Sequence, residues 1–177
     1  TTDIYTLSLH DALPIYHFAK PHDEMAIALK EKKLYRNFQG YSTNAGTDLY
    51  AFGITAISQL QNVYAQNLKT EKEYYNSLDK ETLPIAKGYS LTEDDQLRRY
   101  VIMKIMCDFE LTFSDVEKKF KINFKEYFAN GLMGLKEFQE DNLIEITDDK
   151  IILHEMGRLL IRNIVINFDG YIERNED

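Results

Sequence analysis

Only one of the 177 residues is a cysteine, Cys107, and that scarcity sets the first limits. A single thiol excludes an internal disulfide framework and any cysteine-ligated metal cluster held within this chain. Cys107 falls in an apolar helical pattern, where a buried structural thiol is expected rather than a reactive one. Long hydrophobic runs are missing too: no uninterrupted apolar stretch reaches the roughly 20 residues of a membrane span. Positive charge is also in short supply. With 21 Lys and Arg against 29 Asp and Glu the net charge is −8. A nucleic-acid partner, which needs a concentrated basic surface, is therefore not expected, nor is a membrane. Internal repeats and low-complexity tracts are absent. Apolar residues are plentiful, at 44% of the chain. That is enough for one ordinary domain, or a small domain with part of another.

The opening stretch TTDIYTLSLHDALPI, residues 1–15, does not read as a secretory signal. No Lys or Arg precedes its apolar run, Asp11 interrupts it, and no small-residue cleavage site follows. Read back into DNA, it matches the translation of a widely used short-read sequencing adaptor at every position but one, Asp3 for Glu, a single base change. Residues 1–15 are therefore expected to be non-native adaptor translation and are set aside from fold reasoning. Residues 16–177 carry −6 once Asp3 and Asp11 are excluded. With no secretory signal and one cysteine, a reducing, cytoplasmic setting is expected.

Along the remaining chain, PHDEMAIALKEKK places Asp23 and Glu24 in the first turn of a helix and Lys30, Lys32 and Lys33 at its end, the order a helix dipole favours. Gly40, Gly46 and Gly53, with Asn44 and Thr47, suggest a loop at 36–48 and a strand at about 49–58. Both parities of that strand are apolar or small, which predicts burial on both faces in a parallel sheet. Gly53 within it suits close approach by a ligand or backbone. Residues 69–78 read as a helix and ETLPIAKGYSL as an extended connection. Thr92 and Asp95 resemble a capping pair ahead of a helix bearing Leu97, Val101, Ile105 and Phe109. Ser114 with Glu117 repeats the cap pattern and opens a short helix to about Phe120. A third helix is expected from Phe124 to Phe138. A hairpin turning at Asp148–Asp149 and a closing helix with Leu160, Ile161 and Ile164 complete a winged-helix-like arrangement.

The densest chemical constellation is Tyr35-Arg36-Asn37-Phe38-Gln39-Gly40-Tyr41: a cation, two amides and three aromatics around a glycine. Ligand-binding groups of α/β sheets gather in loops at strand ends. Amides suit a purine or amino-acid group, and Phe38 can lie flat on a base. The same residues also suit an ordered surface loop. Other candidates are weaker. His17 has no second histidine or carboxylate at helical spacing, and His22 and His154 sit among charges. Ser58 lacks a GxSxG setting. Arg98–Arg99 and Arg158 with Arg162 read as solvated helix-face charges.

The order of motifs carries more than any one of them. His17-Phe18-Ala19 with Pro21 and Asp23-Glu24 is followed by Leu34-x-Arg36-Asn37-Phe38-Gln39-Gly40-Tyr41. Then come Asp48-Leu49, Gly53-x-x-Ala56-Ile57-Ser58, Tyr64-x-Gln66-Asn67, Asp94-Asp95-x-Leu97-Arg98-Arg99 and Gly157-Arg158-Leu159-Leu160. The series resembles the C-terminal part of the bacterial oxygen-independent coproporphyrinogen III oxidases, radical S-adenosylmethionine enzymes of haem synthesis, over essentially all of 16–172. Tyr16 then reads as a hybrid codon between adaptor and gene.

The resemblance implies an α+β fold. Residues 16–90 would be the end of the catalytic radical S-adenosylmethionine region, a terminal strand and helix portion of a partial TIM-like barrel. Residues 91–177 would be a mostly helical winged-helix-like C-terminal domain. It implies oxidative decarboxylation of two propionates of coproporphyrinogen III to vinyls, giving protoporphyrinogen IX, in a monomeric parent. Its cofactors would be a [4Fe–4S] cluster on a CxxxCxxC motif and two S-adenosylmethionine molecules, with contacts from Phe38, Gln39 and Ile57, the last touching the second molecule. CxxxCxxC is absent here, so no catalytic residue and no metal ligand is assigned and the polypeptide alone is expected to be inactive. A radical S-adenosylmethionine haem chaperone is the nearest alternative. Its corresponding stretch reads more like His-Asn-x-x-Tyr-Trp, whereas this sequence has no Trp. A winged-helix DNA reader is the other alternative, disfavoured by Glu126 and Glu137 opposing Lys125 and Lys136.

Overall fold

The computed structural model describes residues 20, 22–37 and 40–172. The stretch 1–15, Tyr16, His17, Phe38 and Gln39 lie outside the described residues. Helix α1 spans Glu24–Lys30, with Asp23 as its N-cap accepting from the Met25 amide at 2.9 Å. Strands β1 (Tyr35–Asn37) and β2 (Gly40–Ser42) form an antiparallel hairpin, so two strands occupy part of the expected 36–48 loop.

The expected buried parallel strand at 49–58 is not present. Residues 50–56 are irregular, and regular pairing starts only at β3 (Ile57–Leu60), which continues into β4 (Val63–Asn67) and, after α2 (Glu71–Asp79), into β5 (Ile85–Ser90). The sheet order is β3-β4-β5 and every pairing is antiparallel. Left-handed backbone at Gly53 (φ +100°) and Thr55 (φ +60°) breaks the extended run. Tyr50, Phe52 and Ile54 therefore face outward, Phe52 being 90% exposed. Residues 85–90 form a paired strand rather than a free connection.

Helix α3 (Glu93–Asp108) opens on the expected Thr92–Asp95 capping box and ends at Phe109 in the left-handed region. Leu97, Val101 and Ile105, four residues apart, are fully buried or nearly so. Strand β6 (Glu110–Thr112) leads into α4 (Phe113–Phe120). Ser114 lies inside α4, whose N-cap position is held by Thr112, and the Glu117 carboxylate accepts from the Phe124 amide at 3.0 Å at the start of the next helix. The single helix expected over 124–138 is three short ones, α5 (Phe124–Tyr127), α6 (Ala129–Met133) and α7 (Lys136–Glu140). Phe128 between them has ψ of 26°, outside helical geometry, and its ring packs edge-on to Phe168 at 5.4 Å. Burying this ring and Leu135 in one core requires the helix axis to bend.

Strands β7 (Ile144–Ile146) and β8 (Lys150–Leu153) form the expected hairpin, and β6 adds to it in the order β6-β8-β7. Helices α8 (Glu155–Leu159) and α9 (Ile161–Val165) and a 3₁₀ turn at Ile166–Phe168 close the chain over the core. Gly157 lies against β7's approach so closely that a Cβ would stand 2.0 Å from the Leu143 carbonyl oxygen. The main core lies between α3, the β6-β8-β7 sheet and the closing helices, with Phe113 stacked on Phe124 at 4.4 Å. A smaller core of Ala28, Leu34 and Cys107 fastens α1 and the β1–β2 hairpin to the other face of α3. No helix among the described residues is long and apolar enough to cross a membrane.

Candidate functional site

The β1–β2 hairpin brackets positions 38 and 39 in sequence, with Asn37 paired to Gly40. Gly40 has φ of +134°, a conformation only glycine takes at low cost. Across the hairpin Arg36 pairs with Tyr41 and its guanidinium lies 4.9 Å from that ring. Tyr41 packs on the small core, and burial raises its phenol pKa against the lowering pull of Arg36. Burial, then the nearby Asp108 carboxylate, pushes the Cys107 thiol up to about 12. This residue is thus a packed thiol and not a nucleophile.

Ile57 begins β3, half-buried and paired with Gln66. It does not share a strand face with Gly53, which lies in the irregular segment before it. That segment is held by its backbone. Leu49 and Gln59 exchange both amide–carbonyl bonds, at 2.8 and 2.9 Å. The Ala51 amide donates to Ser58 Oγ at 3.0 Å and the Gly53 amide to the Tyr74 hydroxyl at 3.0 Å. The side-chain amide of Asn67, 6% exposed, donates to the carbonyls of Ala51 at 3.2 Å and Gly53 at 2.9 Å. With the amides and carbonyls of Ala51 and Gly53 bonded from within, the loop leading into Ile57 exposes Tyr50, Phe52 and Ile54 as apolar and aromatic surface. Such a surface suits the flat face of a purine or another apolar group. Asn67 and Tyr74 were not assigned this role from sequence. No local pattern singles out Asn67, which follows Gln66 at the end of β4; its burial, which obliges its amide to find partners, is seen only in the structure.

A second polar system joins this region to α3. Arg99 Nη2 donates to the Tyr35 hydroxyl at 2.7 Å and Nη1 to the Gln61 carbonyl at 3.1 Å, while Gln59 donates to the same hydroxyl at 3.0 Å. Arg98 pairs with Asp94 at 2.8 Å and donates to the Phe168 carbonyl at 3.0 Å. These two arginines are braces between elements, not solvated helix-face charges. Asp95 accepts from Tyr171 (2.6 Å), from the hydroxyl (2.7 Å) and amide (2.8 Å) of Thr92, and from Tyr89 (2.8 Å). The Tyr171 and Thr92 bonds hold its carboxyl well below the usual carboxylate range.

Among the described residues no group of three or more His, Cys, Asp or Glu side chains could hold a metal ion. With its lone cysteine buried, the chain does not fit a [4Fe–4S] cluster. His154 stands at the N-cap position of α8 without a side-chain cap bond, and its Nδ1 lies 2.9 Å from the Asn142 carbonyl oxygen. His22 is exposed.

Comparison with known proteins matches residues 91–160 to the HemN C-terminal domain family. The chain is 48% identical over 161 residues to "Oxygen-independent coproporphyrinogen III oxidase" of Synechocystis, covering 89% of this chain and 34% of that one. The protein of the same name from Escherichia coli is 40% identical over 174 residues, 98% of this chain and 38% of that one. A solved structure described as "Coproporphyrinogen III oxidase (HemN) from Escherichia coli is a Radical SAM enzyme" superposes with a TM-score of 0.84 at 42% identity, covering 87% of this chain and 36% of that one. The chain thus spans about a third of the length of the curated relatives it matches. Residues 91–160 thus match the HemN C-terminal domain family, and across nearly its whole length the chain is similar to proteins named oxygen-independent coproporphyrinogen III oxidase.

Proposed function

We propose that this chain is the C-terminal part of an oxygen-independent coproporphyrinogen III oxidase. The intact enzyme would oxidatively decarboxylate two propionates of coproporphyrinogen III to vinyls and yield protoporphyrinogen IX. The observation that carries this reading is 40–48% identity to enzymes of that name over 89–98% of the chain, with a matching fold. In the proposal residues 1–15 are adaptor translation and 16–90 are the end of the radical S-adenosylmethionine region. Residues 91–177 are a winged-helix-like domain, which the order α3, β6, α4, α5, β7, β8 supports.

Bound S-adenosylmethionine would supply the hydrogen-abstracting chemistry, with reduction from a cluster whose ligands lie outside this chain. This chain's own part is positional. Phe38, Gln39 and Ile57 would contact the cofactor. Asn67, Ser58 and Tyr74 would keep the loop before Ile57 from relaxing, and its exposed aromatic surface would exclude water from one side. The polypeptide alone would not turn over substrate.

Two experiments test the reading. Sequencing the source DNA upstream of codon 16 should show an open frame containing CxxxCxxC and running into Asp-His-Phe-Ala. A genuinely encoded TTDIYTLSLHDALPI would refute the adaptor assignment. Residues 16–177 should also replace the matched stretch of the Escherichia coli enzyme, with anaerobic conversion of coproporphyrinogen III followed by chromatography. A soluble, cluster-loaded chimera that forms no vinyl product would refute the functional assignment. In an active chimera, Ile57→Asp should lower turnover at least tenfold.

A further inference from the structure

A cleft of about 270 Å³ opens where β1, the β3–β4 turn, α3 and α4 meet. Its wall carries two cations, Arg99 and Lys119, and three aromatic rings, Tyr35, Tyr100 and Phe120, and no carboxylate lines it. In a chain of net charge −8 this is a local reversal of sign. The partners of Arg99 are neutral: a phenol, a backbone carbonyl and, 5.6 Å away, the Tyr64 ring. The Lys119 ammonium stands 4.2 Å from the centre of the Tyr100 ring and 5.7 Å from that of Phe120. It forms no ion pair with the described residues. Cation–π contact steadies the ammonium but leaves it without a counter-anion.

The adjoining cleft, about 400 Å³, shares Gln96, Lys119 and Phe120 but is lined by Glu93 and Asp94. An anion entering this groove is repelled from that end and attracted to the Arg99 end. The rings give an apolar ligand something to stack on, and the side-chain amides of Gln61, Asn62 and Gln96 line the same cleft. Ile57 stands at the opposite end of β3 from Gln61, about 10 Å or more along a strand. The cleft is therefore a different place from the surface beside Ile57.

We infer that this cleft binds a flat apolar ligand bearing a carboxylate, packed against the Tyr100 and Phe120 rings, which stand at 59° to each other, with its carboxylate drawn toward Lys119 and Arg99. A propionate-bearing tetrapyrrole is one source of that chemistry, and naming it rests on the functional reading above. An aromatic acid of other origin is the second.

The test uses the full chain with two probes, coproporphyrin III and 2-naphthoate, following the side-chain amide resonances of Gln61, Asn62 and Gln96 together with a binding titration. At least one probe should shift those resonances. Lys119→Glu, at an exposed position, should weaken its binding about tenfold, the scale of one charge-assisted contact. Lys119→Arg should keep the affinity within about threefold, since the charge remains. Coproporphyrin III acting at these resonances identifies the tetrapyrrole as the source. Action by 2-naphthoate alone keeps the cleft and removes the tetrapyrrole from it. If neither probe shifts the three amides, or Lys119→Glu binds as tightly as the parent, the inference is overturned. Turnover by the chimera is a separate readout, so failure of the functional assignment is recognised independently.

Discussion

Replacing Asp95 by Ala should be among the most damaging single changes to this fold. The carboxylate caps α3 by receiving the Thr92 amide and hydroxyl, and it receives the hydroxyls of Tyr89 and Tyr171, four donors on one nearly buried group. A lost cap costs about 1 kcal/mol. Each hydrogen bond to a charged acceptor contributes about 1.5–3 kcal/mol, though bonds sharing one carboxylate do not add in full and Tyr171 is largely exposed. The expected loss is about 3 kcal/mol, or a Tm lower by about 6–12 °C for a chain of this size. Asp95→Asn keeps one acceptor and should lose about half as much. The pH dependence has a definite sign. Because the folded state depresses the Asp95 pKa, the stabilisation is complete above the unfolded value near pH 4 and declines as pH falls below it. Urea unfolding at pH 7, 5 and 3 measures both effects. A loss below about 0.5 kcal/mol in Asp95→Ala at pH 7, or a gap between Asp95→Asn and the parent undiminished at pH 3, would refute the reasoning.

Three further outcomes are expected. Gly157→Ala should cost more than about 3 kcal/mol or prevent folding, because the new Cβ meets a backbone oxygen at 2.0 Å that no rotamer change can move; an unchanged urea midpoint would contradict this. Asn67→Ala should cost about 2 kcal/mol and speed amide exchange at Ala51 and Gly53, leaving exchange in α3 unaltered; equal protection in the variant would show that the clamp is not what holds the loop. Cys107, with its thiol near 12 and 3% exposed, should resist a thiol reagent at pH 8 in the folded protein and react at once in urea, and rapid native-state labelling would sink the buried-thiol assignment.

Where side-chain period and capping chemistry act within one element, the sequence was readable. The Thr92–Asp95 box, the Leu97–Val101–Ile105 stripe and the Asp148–Asp149 turn all stand in the structure where the pattern places them. Segments governed by distant contacts were not. The run 49–58 is apolar at both parities and reads as a buried strand, yet Asn67 and Tyr74, from two later elements, hold its first half in a looped course. The continuous apolar pattern of 124–138 could not reveal three helices, because the bend follows from packing Phe128 on Phe168, forty residues away. Arg98 and Arg99 looked solvated since their partners, the Phe168 and Gln61 carbonyls and the Tyr35 hydroxyl, are invisible to local pattern. At the candidate site the family motif singled out Ile57, and its supporting amide and phenol emerged only from the three-dimensional arrangement.

The carboxylate of Asp95 also has a topological consequence. Tyr89, just before the C-terminal unit, and Tyr171, just after its last turn, bond to the same side chain, so the entry and exit of this unit are neighbours in space. Because its ends meet, a short linker from 172 to 90 would span the gap, and a permutant with new ends at the exposed Asp148–Asp149 turn would measure how far this part of the chain holds together without the braces and small core that tie α3 to the preceding elements. For the same reason, tension applied to its two ends would be borne first by two phenol–carboxylate bonds rather than by the aromatic core behind them.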